Sequence, residues 1–181
     1  MSSPSISCVV PTLNSAATLD ATLLSLRSQQ NVKLELLVAD SGSTDGTLEI
    51  CRRWDAATIY VPPGSMYRAI NAGLRQCRGE WFAYLNSDDL IFPDSFSRLI
   101  DCPKQSDAEV AYGNCDYLDE QGRFIYSFAA AEADMLLPLF RQRQMGFAQP
   151  AAIFRRQAYE QLNGFDESLL YRADADFFIR A

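Results

Sequence analysis

The side chains in this chain best suited to chemistry are carboxylates, and three groups of them stand out: Asp40 with Asp45, Asp88 with Asp89, and Asp174 with Asp176. None of the 181 residues is histidine, which removes Ser-His-Asp and Cys-His nucleophilic mechanisms and His-ligated zinc or iron. Acid-base work at neutral pH therefore falls chiefly to the 23 Asp and Glu residues. A metal site would be built from oxygen ligands, which favours Mg²⁺ or Mn²⁺. Taken alone, each acidic group reads equally well as a solvated turn that caps the next helix. Their placement along the chain argues for more.

Trp81–Leu85 is an apolar run that ends abruptly in Asn86-Ser87-Asp88-Asp89, the pattern of a buried parallel strand with acids at its carboxyl end. Leu34–Ala39 ends in the same way, in Asp40-Ser-Gly-Ser43-Thr-Asp45-Gly-Thr47. Ile6–Val10 stops at Pro11, followed by Thr12-Leu-Asn14. Between the strands lie helical patterns: Leu19, Leu23 and Leu26 form one apolar stripe after a cap at Asn14 or Ser15, and further helices are expected over about 47–56, 65–77 and 93–100. Gly79 is the expected stop of the third helix, and Pro93 suits the first turn of the fourth. A third strand is expected at Thr58–Val61. Alternating strands and helices predict an α/β fold with a mostly parallel central sheet and helices on both faces. In such a sheet the first two acidic groups share the edge where ligands bind. Packed there without a cation, like charges would repel and raise each other's pKa values.

The second half changes texture. Val110–Asn114 and Phe124–Phe128 read as extended segments with a reverse turn at 120–123, which predicts an antiparallel or mixed part. A short helix over 131–143 is expected to be interrupted by Pro138, followed by a strand at Ala151–Phe154, a helix at Arg156–Leu162 and a helix start at Asp174.

Composition bounds the function. The length and 48% hydrophobic content suit one core, so 1–181 is expected to be a single domain. A net charge of -7 argues against binding a nucleic-acid backbone. Five scattered cysteines without C-x-x-C spacing fit reduced thiols. The N-terminus lacks the pattern of a secretion signal, and no apolar run approaches the roughly 18 residues of a membrane span. The expected location is cytoplasmic, with peripheral association at the inner membrane face allowed.

Six pieces then occur in a telling order: Val9-Val-Pro-Thr-Leu-Asn14, Asp40 to Thr47, Ala69-Ile-Asn-Ala-Gly73, Gly79-Glu80, Leu85-Asn-Ser-Asp-Asp89, and Gly164-Phe-Asp-Glu167 followed by Ala173-Asp-Ala-Asp176. In this order they resemble family 2 glycosyltransferases of the GT-A fold, over nearly the whole chain. The resemblance implies inverting, metal-dependent transfer of a sugar from a nucleotide-diphosphate donor to an acceptor hydroxyl, in polysaccharide biosynthesis. It assigns donor binding to a half over about 5–103 and the acceptor, a saccharide or lipid-linked saccharide, to about 104–181. It implies that Pro11, Thr12 and Asn14 lie beside the nucleotide, that Asp40 accepts a hydrogen bond from the base, and that Ser43, Asp45 and Arg68 lie nearby. An acceptor at Asp40 suits the imide N-H of uracil or thymine, although guanine also carries donors. Asn86-Ser87-Asp88 falls on the DXD position, which makes Asp88 the metal ligand and places Asn86 and Ser87 near ribose or sugar. Asp174 falls on the catalytic-base position; Asp176 is expected to be structural, and Asp89 to cap the next helix.

The chain departs from the family pattern in three places. Asn86 replaces the first Asp of the DXD motif, Ala148-Gln149 stands where relatives often carry His-Gln, and the QxxRW element of processive members is absent. The chain also ends soon after Asp174, so the acceptor half is expected to be incomplete. These departures keep open a second reading, a non-catalytic nucleotide-sugar-binding domain. A dinucleotide-binding oxidoreductase and a P-loop NTPase are disfavoured because neither G-x-G-x-x-G nor G-x-x-x-x-G-K-[ST] occurs.

Overall fold

The computed structural model describes residues 5–102 and 108–181. The boundary drawn above between the two halves, at 103 and 104, lies outside the described residues. Six strands form one sheet in the order β3-β2-β1-β4-β8-β5: β1 (Ile6–Thr12), β2 (Leu34–Asp40), β3 (Ala57–Tyr60), β4 (Trp81–Tyr84), β5 (Val110–Tyr112) and β8 (Ala152–Arg155). The first four run parallel, while β8 is antiparallel to both β4 and β5. The chain steps outward from β1 to β3 and then returns to the other side of β1 as β4. That reversal opens a crevice at the carboxyl ends of β1 and β4, the place where open α/β sheets bind ligands.

Alternation along the strands divides the apolar residues between two cores, which explains runs that are hydrophobic throughout. Val9, Leu37, Phe82 and Phe154 face one core, closed by α3 (Met66–Leu74), α6 (Arg156–Gln161) and α7 (Ala173–Arg180). Cys8, Val10, Val38, Ala83 and Ile153 face the other, closed by α1 (Leu19–Arg27), α2 (Thr47–Arg53) and α4 (Ser95–Asp101). The Leu19-Leu23-Leu26 stripe is fully buried there, each leucine adding roughly 1.5–3 kcal/mol by leaving water. All five cysteines are free thiols.

Several local expectations are corrected. Neither Asn14 nor Ser15 caps α1 with its side chain; the Ser15 carbonyl accepts the Thr18 and Leu19 N-H groups, and Thr18 is the capping residue. α3 ends at Leu74, five residues before Gly79. Gly79 is instead required by packing, because a Cβ there would lie 2.5 Å from the Ser7 backbone nitrogen. The cap of α4 is Asp94, so neither Pro93 nor Asp89 starts that helix. Pro138 lies inside α5 (Ala133–Arg141), which continues through it. The partner of β7 (Phe124–Phe128) is not Val110–Asn114 but β6 (Cys115–Leu118), and these two form a separate antiparallel ribbon. Their sequences carry no alternation of polar and apolar faces, and most of their side chains are exposed.

Candidate active site

The expected donor residues are brought together, and they first bind one another. Asp40, at the end of β2, is 3% exposed and accepts four hydrogen bonds: Oδ1 from the hydroxyls of Thr12 (3.1 Å) and Ser43 (2.5 Å), Oδ2 from the backbone N-H of Gly42 and Ser43 (2.9 Å each). Burial pushes this carboxyl up, but the hydrogen bonds to its charged form outweigh burial and hold it below the usual range. Gly42, at φ +94°, makes the turn that points both N-H groups inward.

A second set of bonds joins the loop after β1 to the loop after β2. The Asn14 N-H donates to Ser43 Oγ, and Asn14 Oδ1 accepts the Thr44 N-H. Asp45 accepts from the Ala16 N-H and from the N-H and hydroxyl of Thr47, so it fixes the entry to α2; these bonds hold its carboxyl low. The loop after β4 is joined through Ser15 Oγ and Ser87 Oγ, 2.7 Å apart, and through the Thr22 hydroxyl, which donates to the Asp89 carbonyl. Pro11 lies buried within β1. Arg68 is the outlier: it is exposed on the first turn of α3, where its backbone N-H donates to the Ser65 carbonyl at 3.0 Å.

At the end of β4, Asp88 is exposed and Asp89 half-buried. Burial, then the neighbouring Asp88 charge, pushes Asp89 up despite a hydrogen bond from Asn86 Nδ2 (3.1 Å). Asn86 Oδ1 is buried without a hydrogen-bond partner. Such an orphaned oxygen is costly unless a ligand satisfies it, and an amide oxygen in a loop that carries two carboxylates suits a hard cation. Among the described residues, no three Cys, Asp or Glu side chains converge to hold a metal by themselves.

Asp174, on the first turn of α7, reaches the same edge. The Tyr67 hydroxyl donates to its Oδ1 at 2.9 Å. Burial, then the Asp174 charge, pushes Tyr67 up to about 12, so it remains a donor at neutral pH. The buried Tyr84, at the end of β4, is likewise raised by burial and by the charges of Asp174 and Asp89 nearby. Arg172, at φ +62°, turns the chain into α7. Asp176 points elsewhere and pairs with Arg180 at 2.8 Å.

No role for Asn71 follows from the sequence, although it lies within the Ala69-Ile-Asn-Ala-Gly73 motif. Asn71 is 1% exposed and uses all its polar atoms: Nδ2 donates to the Phe165 carbonyl and Glu167, and Oδ1 accepts from the Tyr159 hydroxyl and the Phe165 N-H. Gly164 must be glycine beside it, with φ +75° and no room for a Cβ, which would lie 2.8 Å from Asn71 Oδ1. This knot anchors the segment that leads into α7. Tyr67 was missed as well; an aromatic residue on a buried helix face carries no signal of its partner.

Asp174 also lines an open cleft of about 540 Å³ with Tyr117, Phe128, Met145, Phe147 and Gln149. The Gln149 amide donates to the Tyr84 carbonyl, which ties the cleft to the end of β4.

A mostly parallel sheet with a switch-point crevice, three loops bound together over it and a carboxylate presented from the side define an α/β protein with a ligand-binding crevice at its strand ends. The profile of Glycosyl transferase family 2 matches residues 7–162, and the chain belongs to that family. It is 33% identical over 198 residues to the succinoglycan biosynthesis protein ExoO of Rhizobium meliloti (strain 1021), covering 98% of this chain and 55% of that protein. It is 29% identical over 194 residues to a PGL/p-HBAD biosynthesis glycosyltransferase of Mycobacterium tuberculosis (strain ATCC 25177 / H37Ra), covering 99% and 70%. The chain thus spans about half the length of the first of these relatives. Among solved structures, S. aureus TarS 1-349 in complex with UDP-GlcNAc superposes with a TM-score of 0.78 at 22% identity, over 97% of this chain and 52% of that one. The mannosyltransferase PcManGT from Pyrobaculum calidifontis, in complex with GDP-Man and Mn²⁺, superposes at 0.69 with 23% identity, over 93% and 49%. These two likenesses establish the GT-A fold. No helix among the described residues is long and apolar enough to cross a membrane.

Proposed function

We propose that this chain is the catalytic domain of an inverting glycosyltransferase that moves a sugar from a nucleoside-diphosphate donor, with a UDP- or dTDP-sugar favoured, to a saccharide or lipid-linked saccharide acceptor in glycan assembly. The observation that carries the reading is that Asp174, oriented by Tyr67, lines one cleft with Gln149, whose amide is bonded to the end of β4 next to the loops tied together after β1, β2 and β4. Names of relatives support it in part: ExoO takes part in succinoglycan biosynthesis.

In this reading the loops at 11–14 and 40–45 receive the nucleotide. Asp40 acts first by shaping its own turn; to meet an imide N-H of the base, it must release a hydroxyl from Thr12 or Ser43. Asn86 and Ser87 lie along the ribose and sugar. Asp88 and Asn86 Oδ1, which has no hydrogen-bond partner, would hold a Mn²⁺ or Mg²⁺ ion. When bound, the ion would supply positive charge for the leaving diphosphate. Asp174 takes the proton from the acceptor hydroxyl while that oxygen bonds to the anomeric carbon. The bond from that carbon to the diphosphate breaks on the opposite face, and its electron pair leaves with the nucleoside diphosphate. The domain is proposed to act at the cytoplasmic side, at the inner membrane face when the acceptor is lipid-linked.

Asp174→Asn tests the assignment. It is expected to abolish sugar transfer while leaving donor affinity largely intact, as measured by nucleoside-diphosphate release and calorimetry. Activity surviving in this variant would move the base elsewhere. Donor binding without any transfer by the unaltered chain would favour the binding-domain reading, to which the Asn86 replacement lends support.

A further inference from the structure

The cleft beside Asp174 has a chemistry of its own. Its apolar wall comes from Tyr117, Phe128, Met145 and Phe147, and its polar groups beyond Asp174 include the amides of Gln144 and Gln149. Phe147 is a fixed floor: its ring stacks on Tyr112 at 4.4 Å and meets Phe178 edge-on at 5.0 Å. Tyr117 is different, because it is 42% exposed and stacks on its cross-strand partner Tyr126 at 4.7 Å. One face of its ring is thus backed by a second aromatic, which holds the ring in place on an otherwise exposed ribbon.

Charge narrows the class of ligand. No Lys or Arg is among the described residues lining this cleft, and the one formal charge facing it is the Asp174 carboxylate. An anionic acceptor placed here would meet the Asp174 carboxylate with no lining Lys or Arg to pair with. A pyranose ring has the complementary character, with C-H faces that lie flat on aromatic rings and hydroxyls at its edge for amides to hold.

We infer that this cleft is the acceptor subsite and that it takes an uncharged pyranoside, stacked on Tyr117 and held by Gln144 and Gln149, rather than a phosphorylated acceptor. The inference rests on the transferase reading and adds the class of acceptor to it. One hydroxyl of the bound ring then faces Asp174, while Tyr67 occupies the other side of that carboxylate.

Saturation-transfer NMR on the whole chain in the presence of UDP and Mn²⁺ tests it, with methyl pyranosides and neutral disaccharides as one set of probes and glycerol 3-phosphate and glucose 6-phosphate as the other. The expected result is saturation of pyranoside ring C-H protons with little or none for the phosphates. Tyr117→Ala is expected to weaken pyranoside binding roughly 2- to 10-fold, the loss of one aromatic stack. Gln144→Leu, a change outside the ribbon, should weaken it also and guards against a variant that only unfolds β6. Phosphates binding as well as pyranosides would overturn the inference. Nucleotide binding without any pyranoside binding would overturn it too, but would leave the donor reading standing. Failure of both ligands would bring down both.

Discussion

Tyr67 Oη donates a 2.9 Å hydrogen bond to Asp174 Oδ1, joining the first turn of α3 to the first turn of α7 across 107 residues of sequence. One carboxylate oxygen is thereby fixed, and the other accepts no hydrogen bond from a described residue. For a base that must meet an incoming hydroxyl, this arrangement sets the rotamer in advance and leaves one oxygen free. Tyr67 is 4% exposed, so its hydroxyl has little water to turn to.

Tyr67→Phe removes only that hydroxyl. The expected outcome is a fall of roughly tenfold or more in kcat with little change in the KM for donor, since a hydrogen bond to a charged group is worth about 1.5–3 kcal/mol. Steady-state kinetics with circular dichroism as a folding control checks it. An unchanged kcat would remove Tyr67 from the account as a positioning residue.

Asp40 makes the donor loops sensitive to acid. Its folded-state pKa lies below its ordinary value of 3.8, so its contribution to stability is complete above that value and is lost as pH falls through the folded value. Asp40→Asn places an amide where carboxylate oxygens now accept from Gly42 and Ser43, and it should cost about 1–3 kcal/mol at pH 7. Urea unfolding from neutral pH to below pH 3.8 should show the wild-type advantage shrinking over that last interval. A gap that stays constant with pH would show that the charge of Asp40 is not what holds the turn.

Gly164→Ala tests whether the Asn71 knot positions the base. The substitution places a Cβ against Asn71 Oδ1 and the Tyr159 hydroxyl at a backbone φ of +75°. It should cost roughly 1–3 kcal/mol and lower kcat together with stability, because the chain leaving the knot enters α7. Full activity in a folded variant would separate the knot from the site.

Much of this was legible in the sequence because apolar runs stop sharply. Trp81–Tyr84 and Leu34–Asp40 are strands within one residue of expectation, and the acids that end them share one sheet edge because both strands run parallel to β1. Cys115–Leu118 was not legible: Cys-Asp-Tyr-Leu shows no alternation, and a ribbon with little buried surface leaves no pattern to read. Pro138 misled because its helix lies at the surface, where no described side chain of α5 is fully buried and α5 runs on through the proline. The placement of the candidate site residues was half legible. Asp40 and Asp88 announced themselves by position at strand ends, whereas the contacts of Asp174 with Tyr67, and of Gly164 with Asn71, join residues about 90 to 110 apart that periodicity cannot link.

The central claim is a metal-assisted nucleotide site between the β1, β2 and β4 loops, and calorimetric titration reaches it most directly. UDP, dTDP, GDP and ADP would each be titrated into the chain with and without Mn²⁺, and then into Asp88→Ala. The account predicts that UDP or dTDP binds with an affinity that rises with the metal, and that Asp88→Ala removes this rise. Binding indifferent to Mn²⁺ in the wild-type chain, or no nucleotide binding at all, would contradict it.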